Sequence, residues 1–74
     1  MTETSIERLV KMANQIALNM AANGTDEEVA EQIAQHLGKF WPPSMKQMAS
    51  DHLTGMKDQL SPLAFRALTK LCNN

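Results

Sequence analysis

Apolar residues recur every three or four positions along most of this chain, and that spacing constrains its fold more than any other feature. The first series is Ile6, Leu9, Val10, Ala13, Ile16, Ala17, Met20 and Ala21. At about 100° per residue, these side chains share one arc of roughly 140° on a helix. Thr4 and Glu7 match a capping box, and Asn23-Gly24 supplies residues that can adopt a left-handed stop. The sequence therefore predicts an amphipathic first helix that ends at Asn23-Gly24.

A second capping box follows at once, formed by Thr25 and Glu28. The acidic run 26–28 complements the dipole of a helix that starts there. The next apolar series is Val29, Ala30, Ile33, Ala34 and Leu37, and Gly38 is expected to end it. Because only two or three residues separate the first two helices, we predict that they form an antiparallel hairpin.

Tandem prolines, Pro42 and Pro43, separate the second helix from a third. They are excluded from a helix interior, but Pro43 can be the first residue of a new helix. The third apolar series is Met45, Met48, Ala49, His52, Leu53 and Met56. Thr54-Gly55 is a possible stop although Met56 remains in phase, so the end of this helix stays open.

The last segment starts with Ser61 as a helix N-cap and Pro62 as the first helical residue. Leu60 and Phe65 match a hydrophobic staple around this start. The remaining apolar positions are Leu63, Ala67, Leu68 and Leu71. The pattern as a whole predicts one all-α domain over residues 1–74, a small three- or four-helix bundle with an N-terminal antiparallel hairpin.

A chain of 74 residues buries only about 60% of its unfolded surface, so its stability is marginal without additional support. Cys72 is the single cysteine, so no intramolecular disulfide supplies that support. A lone thiol fits a reducing compartment, and here a small hydrophobe near a helix end is favoured over a redox role. Helix packing, self-association or a partner protein must therefore complete the core.

Charge and hydropathy argue against several classes of protein. The formal net charge is −1, and the seven basic residues form no cluster of the kind that neutralises nucleic-acid phosphates. Read as a helix-turn-helix recognition element, the third helix offers only Lys46 and Gln47 on its outer side. No apolar run approaches the roughly 20 residues that cross a bilayer, and the start does not resemble a signal peptide. We therefore predict a cytoplasmic protein that binds neither nucleic acid nor membrane.

No residue pattern predicts a catalytic, cofactor-binding or metal-binding site. His36 and His52 lie on different predicted helices without a cysteine or carboxylate at ligand spacing, which favours hydrogen-bonded core or interface histidines. Met45 and Met48 could hold a soft metal such as Cu(I), but adaptable apolar surface is the favoured interpretation. No local spacing indicates a nucleophile beside a base.

Apolar residues outside the predicted core faces are more informative. Met12 and Leu18 flank the polar side of the first helix, and Phe40 and Trp41 lie together in a proline-stiffened connection. Tryptophan is a favoured interface anchor because its ring buries a large area with little loss of rotamer freedom. Trp41 either closes one end of the bundle or contacts a partner, and both roles are compatible.

Two segments carry a resemblance to a known family. Residues 12–17 read Met-Ala-Asn-Gln-Ile-Ala, and His36-Leu37 is followed by Phe40-Trp41-Pro42-Pro43-Ser44-Met45. In this order and spacing they resemble the formate dehydrogenase delta subunit family, well over residues 6–53 and more loosely over 60–71. The chain departs from the family at Pro42, often acidic there, and at Ser44, often basic.

The resemblance implies a small accessory subunit of a soluble, NAD-dependent molybdenum formate dehydrogenase. The large subunits of such enzymes hold molybdopterin, iron–sulfur clusters, FMN and NAD, whereas the delta subunit holds none and helps to assemble or stabilise the enzyme. We expect this chain to bind the large catalytic subunit through Met12, Asn14, Gln15, Leu18, His36, Phe40, Trp41, Pro42, Pro43 and Met45. On this hypothesis, replacing Trp41 by alanine leaves the helical content largely intact and weakens that binding.

Three alternatives stay open. The first is a transient assembly factor that assists cofactor insertion and then leaves. The second is a small DNA-binding helical protein, and the third, an independent enzyme, is the least favoured. In isolation the chain is expected to be a monomer or a weak homodimer that covers apolar surface meant for its partner.

Overall fold

A computed structural model describes residues 5–72 of the chain. These residues form helices α1 (Ser5–Met20), α2 (Asp26–Phe40), α3 (Pro43–Met56) and α4 (Pro62–Cys72), with a 3₁₀ turn at Ala21–Asn23. No strand occurs among the described residues, so the predicted all-α bundle is confirmed with four helices. The predicted cap Thr4 lies outside the described residues, and the apolar Ala21 is exposed in the 3₁₀ turn.

The core is built mainly on the pair α2 and α4, which pack against each other more extensively than any other two helices. Helix α1 contacts α2, as the hairpin prediction requires, and it also packs against α3 and α4. The largest fully buried side chains come from all four helices: Leu9, Val29, Ile33, Leu37, Met56 and Leu68. Within the described residues, no polar or charged side chain is buried, so apolar packing holds the four helices together.

The link from α1 to α2 differs from its prediction. Asn23 lies in the 3₁₀ turn and has a negative φ, so it does not adopt the predicted left-handed conformation, and the stop falls at Gly24. Gly24 instead has φ 155° and ψ −161°, a region that is essentially restricted to glycine. A Cβ atom at this position would lie 3.0 Å from Glu28 Oε1. Gly24 allows the backbone to turn at this point, and the turn places Thr25 and Glu28 in their capping box.

That second capping box is confirmed. The Glu28 N–H donates to Thr25 Oγ1 at 3.2 Å, and the Thr25 N–H donates to Glu28 Oε1 at 2.9 Å. The two residues thereby satisfy each other's backbone donors at the start of α2.

The prediction that Gly38 ends α2 is wrong, because the helix continues to Phe40. Pro42 is the stop, since a proline disfavours helical geometry in the residue before it. Trp41 accordingly adopts an extended conformation (φ −81°, ψ 135°), while its N–H still donates to the Leu37 carbonyl at 2.9 Å. Gly38 stays helical, and its carbonyl accepts a hydrogen bond from Lys46 Nζ at 2.6 Å.

The starts of α3 and α4 follow their predictions. Pro43 is the first residue of α3, and the Ser61 hydroxyl accepts a hydrogen bond from the Ala64 N–H at 3.2 Å. Helix α3 continues past Gly55 to Met56, whose side chain is fully buried, and this settles the boundary that the sequence left open.

The sequence predicts that His52 lies either in the core or at an interface. Its side chain is exposed, so it is not a core residue. Helix α3 buries only Ala49 and Met56, and its other apolar residues are partly buried. The neighbouring helices therefore cover the side of α3 that carries Ala49 and Met56, and they leave His52 in solvent.

Candidate functional site

Helix α1 presents two large apolar side chains to solvent, as its sequence predicts. Leu18 is 73% exposed and Met12 is 36% exposed. Six residues apart, they lie about 120° from each other around the helix, with the exposed Gln15 between them. Leu18 borders a depression of about 550 Å³ that Leu63 also lines, so this edge of α1 has an apolar neighbour on α4.

The Phe40-Trp41 pair divides between the surface and the core. Phe40 is 69% exposed, and its ring lies 4.6 Å from the His36 ring, centroid to centroid, with a 40° tilt. Trp41 is only 6% exposed and belongs to the hydrophobic core. The extended backbone at Trp41 takes its side chain off the line of α2, so this residue closes the end of the bundle while Phe40 faces solvent.

Pro42, in the turn beside Phe40, and Pro43, the first residue of α3, are both exposed. Met45, one turn into α3, is partly buried and packs against the core. Met45 lines a small depression of about 270 Å³ together with Arg8 and Leu9 of α1. Met45 therefore belongs largely to the contact between α1 and α3.

Asn14 has a structural role that the sequence analysis did not anticipate. Its Nδ2 donates to the Gln59 carbonyl at 2.9 Å, and its Oδ1 accepts from the Ser61 N–H at 2.9 Å. One side chain thus ties α1 to the turn between α3 and α4, more than forty residues away along the chain. Gln15 points outward, with its Nε2 3.3 Å from Asn19 Oδ1.

The predicted docking residues therefore fall into three groups. Asn14, Trp41 and Met45 contribute to the fold. The outer side of α1 carries Met12, Gln15 and Leu18, and the end of α2 with the following turn carries His36, Phe40, Pro42 and Pro43. The two exposed groups form separate candidate surfaces, and their contact with a partner stays a prediction.

A charged cluster joins the start of α2 to α4. Glu27 lies 2.9 Å from Arg66 Nη1 and also pairs with Lys70, which in turn lies 3.7 Å from Glu31. The hydrogen bond from Lys70, followed by that from Arg66, lowers the pKa of the Glu27 carboxyl. The sequence analysis assigned Glu27 only to the helix dipole, because local spacing carries no signal for partners 39 or more residues away.

The same region contains a groove of about 610 Å³ with Leu60, Pro62 and Phe65 among its lining residues. The Lys57 ammonium lies 5.5 Å from the centroid of the Phe65 ring. Sequence reasoning missed this groove, since it used Leu60 and Phe65 only as a staple for the start of α4.

No group of three or more histidine, cysteine, aspartate or glutamate residues in the described chain is arranged to hold a metal ion. Cys72 is partly buried, and this burial raises the pKa of its thiol, although a hydrogen bond with Ser50 opposes the shift. Among the four described helices, none combines the length and apolar character needed to span a membrane.

Comparison with known proteins identifies the family. The sequence model described as NADH-dependent formate dehydrogenase delta subunit FdsD matches residues 8–68, which is most of the chain. No match was found among curated proteins or among solved structures. The match includes both segments on which the resemblance was based, and it extends through most of α4. The chain belongs to the NADH-dependent formate dehydrogenase delta subunit family.

Proposed function

We propose that this chain is a non-catalytic accessory subunit that binds the large catalytic subunit of an NADH-dependent formate dehydrogenase and helps to assemble or stabilise it. The family match over residues 8–68 is the observation that carries this proposal. The four-helix bundle supports it, because a small apolar core leaves several large apolar side chains in solvent.

The chemistry of the side chains favours a partner that holds every cofactor. One cysteine cannot supply the thiolates that an iron–sulfur cluster needs, and the sequence has no glycine-rich loop for a nucleotide. These residues therefore do not fit an iron–sulfur cluster or the glycine-rich mode of NAD binding. We assign both groups, together with molybdopterin and FMN, to the partner subunits. A cytoplasmic complex is part of the proposal, supported by the single thiol.

Phe40 and Leu18 are the side chains that we assign to docking, with Met12 at the margin. They are the most exposed large apolar residues of the described chain. Removing such side chains from water on binding contributes about 25 cal/mol for each Å² of apolar surface. The sequence analysis also placed Trp41 and Met45 at the interface. Trp41 lies in the core and the partly buried Met45 packs against it, so we propose that both support Phe40 and the turn from behind.

Co-purification with the large subunit tests this proposal. A tagged chain carrying Phe40→Ala and Leu18→Ala is expected to retain the large subunit about tenfold less well than wild type, as for truncated interface anchors. Gln32→Ala, an exposed polar change on α2, is the matched control. Equal retention by the double variant would remove both exposed surfaces from the interface.

Size-exclusion chromatography of the mature enzyme separates a permanent subunit from a transient assembly factor. A permanent subunit remains with the large subunit in stoichiometric amount. An assembly factor is absent from the mature enzyme but binds the enzyme that lacks its cofactors. The two roles need the same kind of apolar surface, so only this measurement distinguishes them.

A further inference from the structure

The groove between the start of α2 and the outer side of α4 combines an apolar floor with a charged rim. Its floor is formed by Leu60, which is nearly buried, and by the half-buried ring of Phe65. The other lining residues are Pro62, Glu27, Lys57, Arg66, Thr69 and Lys70. At about 610 Å³, the groove has room for side chains of a short peptide segment.

The charge of this lining is opposite to that of the whole chain. Three cations and one carboxylate line the groove, a formal charge of +2, whereas the chain carries −1. Glu27 pairs with Arg66 and Lys70, and Glu31, outside the lining, reaches Lys70 at 3.7 Å. If Glu31 is counted as well, the rim still has one positive charge in excess.

That excess charge belongs to Lys57. Its ammonium lies over the Phe65 ring, and no carboxylate of the described chain lies within ion-pair distance of it. A purely apolar occupant would take this ammonium out of water without a partner, which is costly. A basic occupant would be repelled by it. An occupant that is both apolar and acidic satisfies the floor and Lys57 together.

We infer that this groove binds an acidic amphipathic segment of the large subunit, with an apolar side chain on Leu60 and Phe65 and a carboxylate beside Lys57. The inference rests on the proposed function and adds a further contact to it. Glu27 and Phe40 are 13 residues apart on α2, which places the groove about 20 Å along the helix from the Phe40 surface. The two contacts can therefore be tested separately.

Charge reversal tests the groove. Lys57→Glu is expected to weaken binding of the full chain to the large subunit at least about tenfold and to reduce its dependence on salt. Lys57→Met, which keeps the apolar stem, should fall between wild type and Lys57→Glu. Arg8→Glu, an exposed charge reversal on α1 outside the groove and the proposed docking residues, is the matched control and should have little effect. Circular dichroism checks that each variant keeps its helical content and melting temperature.

Photo-crosslinking identifies the occupant directly. A benzoylphenylalanine introduced at position 65 in the assembled enzyme should capture a large-subunit peptide in which aspartate or glutamate alternates with large apolar residues. The same group at the exposed position 35 of α2 is the control. Capture of a second copy of this chain, of a peptide without acidic residues, or of nothing would overturn the inference.

The outcomes also separate this inference from the proposed function. If the wild-type chain binds the large subunit and Lys57→Glu binds it equally well, the inference about the groove is overturned and the accessory role is unaffected. Failure of the wild-type chain to bind the large subunit overturns both. Weakening by Lys57→Glu but not by Arg8→Glu supports the groove.

Discussion

The two ends of α2 are built on different physical principles. At its start, polar groups satisfy one another: Thr25 and Glu28 exchange hydrogen bonds, and Glu27 pairs with Arg66 and Lys70. At its end, Pro42 stops the helix by steric exclusion, and the buried Trp41 closes the core. The start is held by several exposed polar groups, each of which contributes separately. The end depends on one large buried side chain.

This difference predicts how each end responds to substitution. Changes at the start remove individual hydrogen bonds or charges in solvent, where each contributes little. A change at the end opens a cavity in a core that has few other large side chains. The sizes of the predicted effects below follow this order.

Trp41→Ala is expected to have the largest effect. Truncating a buried tryptophan costs about 3–5 kcal/mol, a large part of the stability of a domain this small. Circular dichroism should show loss of helical content or a strongly lowered denaturant midpoint. The earlier expectation that this variant keeps its helices is therefore revised, and weaker binding by it would report unfolding rather than a lost contact.

Phe40→Ala is the neighbouring control for that measurement. Because Phe40 is 69% exposed, its truncation should change the free energy of unfolding by no more than about 0.5 kcal/mol. Similar losses from both variants would contradict the division of the pair into a core residue and a surface residue.

Gly24→Ala is expected to have the next largest effect. A Cβ atom there would meet Glu28 Oε1 at 3.0 Å on a backbone with φ 155°, so we expect a loss of about 1–3 kcal/mol. Gly55→Ala is the matched control, and it is expected to change the free energy of unfolding in the opposite direction. Gly55 is helical with nothing within 4 Å of the added atom, so alanine should stabilise by about 0.5–1 kcal/mol. Urea unfolding of both variants checks this contrast.

The sequence predicted the starts of the helices better than their ends. Thr25, Pro43 and Ser61 mark starts through groups that act on residues two to four positions away, so local spacing is sufficient to identify them. Gly38 was expected to end α2, and Gly55 was a possible end of α3 that the sequence left open. Both helices pass through these glycines, and Trp41 and Met56 are buried beyond them. Such burial depends on the other helices, which local spacing does not reveal.

The candidate surfaces show the same limit. Leu18 and Met12 could be assigned to the surface because helical periodicity alone places them outside the core face of α1. Phe40 and Trp41 could not be separated, since one peptide unit of extended backbone sends them in different directions. The groove beside Lys57 and Phe65 requires the packing of α4 on α2, which no local pattern contains.

Thr25→Ala should produce a smaller loss than Gly24→Ala. It removes the hydroxyl that accepts the Glu28 N–H, and loss of an N-cap typically costs about 1 kcal/mol. Thr25→Ser retains the hydroxyl and should unfold at nearly the wild-type urea concentration. A serine variant as unstable as the alanine variant would indicate that the methyl group, and not the cap, is responsible.

The acid dependence of unfolding that arises at the start of α2 is the smallest of these effects. Hydrogen bonds from Thr25 lower the pKa of Glu28, and those from Lys70 and Arg66 lower the pKa of Glu27, both from an ordinary value of 4.5. Near and below pH 4.5, the unfolded chain therefore binds more protons than the folded chain, so the associated stability is present above pH 4.5 and is lost as the pH falls through the lowered pKa values. Thermal melts between pH 7 and 3 should show a shallower decline for Glu27→Gln/Glu28→Gln than for wild type. Added salt should reduce the Glu27 part of this difference, since ion pairs between exposed groups are screened; identical declines would mean that these contacts do not persist in solution.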